Sequence, residues 1–218
     1  DDYFIDTALG LAMVADGMGG HEGGEVASAL AVQTVREAVA GGMGLTEALK
    51  KAHKAIVAHP KGGGARPMGT TAVAVQVNGF QAEVAWVGDS RAYLFNGERL
   101  LPLTKDHTPV QQLVDAGKLS MEEARHHKHR NQILQALGSE NRHYPIRPET
   151  QKAYLDVGSV ILLCSDGLTE HLSDEQIFQQ LKAGTKHLEA TVQRLVDEAL
   201  DEGGSDNITV VLLKRVAI

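Results

Sequence analysis

Cysteine is nearly missing from this sequence. The single thiol, Cys164, ends the apolar run Val160-Ile161-Leu162-Leu163-Cys164. One cysteine can build neither a disulfide framework nor a thiolate zinc site, and a thiol in an apolar run reads as a small buried hydrophobe in a reducing compartment. Long apolar stretches are also missing: none approaches the roughly 18 residues a membrane-spanning helix needs. The opening Asp1-Asp2-Tyr3-Phe4-Ile5-Asp6 has no signal-peptide pattern. Basic runs are absent, and 21 Lys+Arg against 28 Asp+Glu leave a net charge of −7, the wrong sign for a nucleic-acid surface. Neither an internal repeat nor an interdomain linker is visible. These absences lead us to expect a soluble, cytoplasmic, monomeric protein with no nucleic-acid or membrane partner. Its 218 residues fit one domain, 1–218, large enough for a real core.

What is present is a repeated local design. Leu11-Ala12-Met13-Val14-Ala15 runs into Asp16-Gly17-Met18-Gly19-Gly20-His21, an apolar strand ending in a carboxylate and a glycine-rich turn. The run ending at Cys164 leads into Ser165-Asp166-Gly167, and Gly203-Gly204-Ser205-Asp206-Asn207 opens onto Ile208-Thr209-Val210-Val211-Leu212-Leu213. A helical stripe is expected from Glu25 to Ala40, then a helix capped by Thr46 to about Ala58. A β meander follows from Thr70 to Leu103, with Asn78-Gly79 as a type I′ hairpin signal and Asn96-Gly97 as a second hairpin. The polar, histidine-rich stretch from about 104 to 144 reads as a flap of short helices, with a capping box at Ser120 to Glu123. Ser173 to Gln176 is another capping box, opening a helix before a further helix from about Lys186 and a last strand. Strands joined by hairpins give mainly antiparallel sheets with helices packed outside, an α+β layering.

Other readings of the glycine turns fail in detail. A dinucleotide fingerprint would need glycine at position 22, where Glu stands, and no Gly-Lys-Ser/Thr phosphate loop occurs. Gly88-Asp89-Ser90-Arg91-Ala92 falls between strands, so it is not a nucleophile elbow. An aspartate beside glycine is usually a turn former, but Asp16, Asp89, Asp166 and Asp206 all repeat the pattern at strand ends. Converging carboxylates raise one another's pKa unless a cation lies among them. Hard divalent ions such as Mg²⁺ and Mn²⁺ favour such oxygen donors, and a pair of them can activate water against a phosphoryl group.

Val14-Ala15-Asp16-Gly17-Met18-Gly19-Gly20-His21 with Gly24-Glu25-Val26-Ala27-Ser28 resembles the bacterial form of the metal-dependent serine/threonine protein phosphatases of the 2C type. Gly69-Thr70-Thr71-Ala72, Val87-Gly88-Asp89-Ser90-Arg91, Asp106-His107-Thr108, Leu137-Gly138, Leu163 to Thr169 and Asp206 to Val211 match further motifs in family order. The resemblance implies a central β-sandwich of two antiparallel sheets flanked by helices, with the 104–144 flap inserted. It implies that Asp16 bridges two Mn²⁺ or Mg²⁺ ions, that the Gly17 carbonyl binds one, and that Asp166 and Asp206 complete the other site. Asp89 with Asp166 matches the third-metal site of bacterial members, to which the Ser139 carbonyl is expected to add a flap ligand. Asp1 matches the end of a motif that reaches metal-bound water. The catalytic set is therefore expected to be Asp16, Asp166, Asp206 and His21, the last contacting substrate or protonating the leaving oxygen. The family's phosphate-binding Arg lies a few residues upstream of Asp1, so the chain is expected to lack the domain's extreme N-terminus.

Two functions stay open on these residues. One is hydrolysis of phosphoserine and phosphothreonine on proteins, opposing a Ser/Thr kinase on that kinase or its targets; the other is a non-catalytic phosphoprotein-binding module of the same fold. His126, His127 and His129, beside Arg125, Lys128 and Arg130, are expected to form a solvated basic face rather than a zinc site.

Overall fold

The computed structural model describes residues 1–19, 21–60, 68–139 and 143–217, and only the backbone of residues 21 and 22. The chain opens with strands β1 (Asp2–Asp6), β2 (Leu11–Ala15) and β3 (Gly17–Met18), followed by helices α1 (His21–Ala40) and α2 (Leu45–Ala58). Strands β4 (Gly69–Thr70), β5 (Ala72–Asn78), β6 (Gln81–Val87), β7 (Arg91–Phe95) and β8 (Leu100–Pro102) come next. Helices α3 (Pro109–Asp115) and α4 (Met121–Arg125) separate them from β9 (Glu149–Tyr154) and β10 (Val160–Cys164). Helices α5 (Asp166–Thr169), α6 (Asp174–Gly184) and α7 (Leu188–Asp201) precede β11 (Val210–Lys214).

Two antiparallel sheets stack face to face. One has the order β1-β2-β5-β6-β9, the other β11-β10-β7-β8. The period-two alternation of a strand sends successive side chains to opposite faces. In β5, Val73 and Val75 point between the sheets, where they meet Val84, Leu94, Ile161 and Leu163. Ala72 and Ala74 point the other way, toward Ala27, Ala31 and Val35 of α1 and Leu49 and Ile56 of α2. The outer face of the second sheet carries Tyr93, Phe95, Leu162 and Cys164 against Ile177, Leu181, Leu195 and Ala199 of α6 and α7. This gives the four-layer α-β-β-α architecture. It also explains why β2 and β10 read as unbroken apolar runs: both faces of these strands are covered, so every residue is buried.

Three local expectations change. Helix α1 begins at His21, not Glu25, so Gly23 and Gly24 are helical. Packing overrides propensity here: a Cβ on Gly24 would lie 2.6 Å from the Gly17 carbonyl oxygen, and only glycine lets the first turn of α1 close on β3. Helix α2 starts at Leu45 with Gly44 as its N-cap, and no side chain caps it, so Thr46 lies one residue inside the helix. The β5–β6 turn is Gly79-Phe80, because Asn78 pairs with Gln81. Gly79 has a positive φ and Phe80 does not, which rules out the type I′ turn, since that turn needs two. The capping boxes at Ser120 and Ser173 form as read, each with both reciprocal bonds.

The inter-sheet layer bears directly on the site, because β10 runs from it into Asp166. We expect Leu163→Ala, at a fully buried position, to cost about 2–5 kcal/mol in urea denaturation by opening a cavity between the sheets. A loss below about 1 kcal/mol would mean that this layer is loosely packed.

Candidate active site

Strand ends deliver the acids to one region. Asp16 leaves β2 and is held by its backbone from two neighbouring threonines. The Thr71 N–H (2.8 Å) and the Thr70 hydroxyl (2.8 Å) both donate to the Asp16 carbonyl, and the Asp16 N–H donates to the Thr71 hydroxyl (3.2 Å). The Thr71 hydroxyl also shares a 2.6 Å hydrogen bond with Ser90, next to Asp89. Asp166 follows β10 and is tied to the segment preceding β11. The Ser165 N–H donates to the Thr209 carbonyl (3.1 Å), and the Thr209 N–H donates to the Ser165 hydroxyl (3.0 Å). A Cβ on Gly167 would lie 2.1 Å from the Asn207 carbonyl, so that turn too requires glycine. Asp1 belongs to the same neighbourhood, because its Oδ2 accepts from the Thr209 hydroxyl at 2.7 Å.

The electrostatics follow from this convergence. Asp16 and Asp166 stand close enough for one to donate a hydrogen bond to the other once protonated. Burial first, and then the charge of Asp166, push the Asp16 carboxyl up to about 8, with Asp89 and Asp206 adding at longer range. Burial also raises Asp166, and Glu170 and Asp206 add to it, while the hydrogen bond from Asp16 holds it down. With no cation between them, the pair therefore shares one proton near neutral pH. Asp89 is 6% exposed and its carboxyl is raised well above the usual range, chiefly by burial and then by Asp166. Asp206 is exposed, at the rim.

Two buried oxygens, Asp89 Oδ1 and Asp166 Oδ1, have no hydrogen-bond partner among the described residues. A native structure satisfies nearly all such atoms, so a pair of orphans on neighbouring acids points to a missing partner. Hard oxygen donors that carry unmet negative charge fit a divalent cation. Among the described residues, however, no three His, Cys, Asp or Glu side chains are grouped tightly enough to hold an ion as they stand. Asp16 and Asp166 are in hydrogen-bonding contact, and Asp89 and Asp206 act on them through charge alone. The Gly17 carbonyl and water, both of which suit Mg²⁺ and Mn²⁺, would add oxygen donors to the carboxylates.

Asp89 and Asp166 also open into a cavity of about 310 Å³, which runs past Arg91 and Thr169 to Arg125 and Arg130. The Arg91 guanidinium makes a bidentate pair with Asp106 (2.8 and 2.6 Å), anchoring the segment that enters α3. The side chain of His21 lies outside the described residues. Ser139 is at the far end of the 103–148 connection, where its N–H donates to the Ala136 carbonyl; among the described residues no hydrogen bond joins it to an aspartate. His126 contacts Glu122 on the exposed side of α4.

The sequence of the family described as Protein phosphatase 2C matches residues 1–202 of this chain. The chain belongs to the protein phosphatase 2C family. It is 35% identical over 216 residues to the serine/threonine phosphatase Stp of Listeria monocytogenes, spanning 94% of this chain and 84% of that protein. It is 36% identical over 212 residues to the phosphatase PstP of Mycobacterium tuberculosis, covering 93% of this chain and 40% of that protein. Its fold superimposes on a crystal structure of M. tuberculosis PstP with a TM-score of 0.82 at 36% identity, covering 95% of this chain and 88% of that one. A structure of the PstP catalytic domain in complex with two manganese ions gives the same TM-score, 0.82, at 34% identity over 95% of this chain and 88% of that one. For this 2C-family chain, sequence reasoning missed the Thr70–Thr71 clamp on Asp16. The available signal was two adjacent hydroxyls leading into an apolar strand, which must find partners once buried.

The raised carboxyl predicts a pH dependence. The folded state's preference for neutral Asp16 adds stability at pH below its ordinary value of 3.8, and this is lost as pH rises through about 8. In a chelator, the melting temperature should therefore fall between about pH 5 and pH 8, and saturating Mn²⁺ should abolish that fall. A chelated protein whose melting temperature is flat or rises over this range would show that the carboxylates do not repel.

Proposed function

We infer that this chain hydrolyses phosphoserine and phosphothreonine on proteins. The observation that carries the reading is the half-buried, proton-sharing Asp16–Asp166 pair beside the orphaned oxygens of Asp166 and Asp89, in a chain of the 2C family. Asp16, the Gly17 carbonyl, Asp166 and Asp206 would hold two Mn²⁺ or Mg²⁺ ions, as PstP holds two manganese ions. Asp89 and Asp166 would hold a third, with Ser139 as a further donor, and Asp1 would orient water. Bound there, such ions supply Lewis acidity toward phosphoryl oxygens and make water a nucleophile at neutral pH.

The chain's own work is placement and charge. Asp16 and Asp166 would give up their shared proton to hold cations, which would couple metal affinity to pH. The Thr70–Thr71 and Ser165–Thr209 clamps fix the carboxylates before substrate arrives, so little reorganisation remains for the reaction. The 310 Å³ cavity beside Asp89 would receive the residues flanking the phosphorylated one. His21 would donate a proton to the leaving serine or threonine oxygen. The substrates would be a Ser/Thr kinase or its targets, and the chain would act as a cytoplasmic monomer, with residues 1–218 forming one phosphatase domain and 104–144 its flap. The free, buried Cys164, with its thiol pushed up to about 12 by burial, suits a reducing compartment. No helix among the described residues is long and apolar enough to cross a membrane.

The test is hydrolysis of a phosphothreonine peptide across a Mn²⁺ titration, with wild-type protein and Asp166→Ala. Activity should rise with Mn²⁺, vanish with chelator and fall at least about 100-fold in the variant, the equivalent of several kcal/mol of lost charge stabilisation. Wild-type protein that binds Mn²⁺ and the phosphopeptide without turnover would favour the binding-module reading instead.

A further inference from the structure

We propose that His107 is a positioning residue that holds Gly88, the residue before Asp89, from the base of the α3–α4 connection, so that anchorage of this connection and placement of the Asp89 carboxylate are one structural unit. The proposal rests on Asp89 belonging to the active site. Its geometric part stands independently of that.

The contact is a closed pair. The His107 N–H donates to the Gly88 carbonyl (2.9 Å), and the Gly88 N–H donates back to His107 Nδ1 (3.1 Å). A ring nitrogen that accepts carries no proton, so the neutral imidazole bears its hydrogen on Nε2. Nε2 faces Glu149 Oε1 at 3.4 Å and makes no hydrogen bond among the described residues. The ring is therefore oriented by Gly88 and by Trp86, on which it stacks at 6.3 Å between centroids. Neighbouring contacts repeat the link: Trp86 Nε1 donates to the Lys105 carbonyl (2.8 Å), Arg91 grips Asp106, and the Ala92 N–H donates to the Thr104 hydroxyl (3.1 Å). The returning half of the connection joins at the same residue, because the Leu134 N–H donates to the His107 carbonyl at 2.7 Å.

Asp89 needs such support. Its Oδ1 has no partner of its own among the described residues, so the backbone places that oxygen. That backbone is unusual: Gly88 has φ +104, and a Cβ there would lie 2.7 Å from the Thr71 side chain. A left-handed glycine has broad conformational freedom, and the His107 bonds restrict it from one side while Thr71 and Ser90 restrict it from the other. Partners that orient a ligating carboxylate without touching the ion commonly matter 10–100-fold, or about that, in affinity or activity.

The experiment uses the full chain and three substitutions. Asparagine places its Oδ1 near the position of Nδ1 and keeps an acceptor for the Gly88 N–H. Glutamine reaches toward Glu149 but leaves the Gly88 N–H unpaired, and alanine removes both groups. The first readout is amide exchange of Gly88 by NMR in metal-free wild-type protein. Gly88 lies outside every strand, yet its exchange should be slowed to the level of β7 amides. Unprotected exchange overturns the proposal, whether or not any variant folds. Among the variants, His107→Ala and His107→Gln should lose Gly88 protection, bind Mn²⁺ more weakly at one site by calorimetry, and lower kcat about 10–100-fold with KM within about twofold. His107→Asn should restore kcat to within about threefold, and Glu149→Gln should leave it within about twofold, because Glu149 faces only Nε2. If Asn fares no better than Ala, or if Gln retains full protection and kcat, the positioning role is wrong. A wild-type protein without phosphatase activity would sink the proposed function instead, and the Gly88 measurement would still decide the clamp.

Discussion

Mutual repulsion among carboxylates is the constraint on which this structure turns. Asp16, Asp89 and Asp166 are carried into a low-dielectric region where each disfavours the ionisation of its neighbours. A chain without another use for these acids would gain stability by replacing them with apolar or amide side chains. The fold instead holds them with backbone hydrogen bonds, buried hydroxyls and glycine turns that admit no Cβ. Acids brought to one region by fixed backbone anchors, at a cost in stability, suit a cation-dependent reaction, because little movement of the chain then remains when a cation binds.

The supporting bonds share a logic. Asp16 is fixed through its own peptide, and Asp166 and Asp89 through the residues beside them, which leaves one oxygen each of Asp166 and Asp89 without a partner among the described residues. Thr70 and Thr71 hold Asp16, Ser165 and Thr209 hold the start of the Asp166 turn, and Ser90 and His107 flank Asp89. Thr70, Thr71, Thr209 and His107 come from strands or segments distant in sequence from the acids they support, so the site exists only once both sheets have formed. The α-β-β-α layering makes this possible: β2 of one sheet and β10 of the other end at the same edge of the sandwich, and β11 pairs with β10 so that Asp206 arrives beside Asp166.

The connection between β8 and β9 is a second level of organisation. Its entry is bolted to the β6–β7 turn by Lys105, Asp106 and His107, and its exit pairs Leu137 with Thr70 of the Asp16 clamp. Both ends of the insertion therefore rest on residues that position acids.

Much of this was legible in the sequence. Alternation in β5 and β6, unbroken apolar runs in β2 and β10, and two capping boxes follow from local chemistry, and they gave the layered α+β fold. The four aspartates stood out because the strand–aspartate–glycine pattern recurs, and ordered motifs tied them to a family. What local chemistry could not give was decided by contacts between distant residues. Gly23 and Gly24 precede the helix expected from Glu25, yet both are helical, and Gly24 lets that first turn close on β3. Asn78-Gly79 read as a type I′ turn, but cross-strand pairing moved the turn by one residue. His107 stands in the sequence only as part of the Asp106-His107-Thr108 motif. Its pairing with Gly88, nineteen positions away, appears only after β6, β7 and the insertion have closed on one another. Sequence determines which residues prefer a strand, a turn or a cap, because those preferences act over a few bonds. Tertiary structure decides which orphaned groups meet, because that depends on layers that no local window contains.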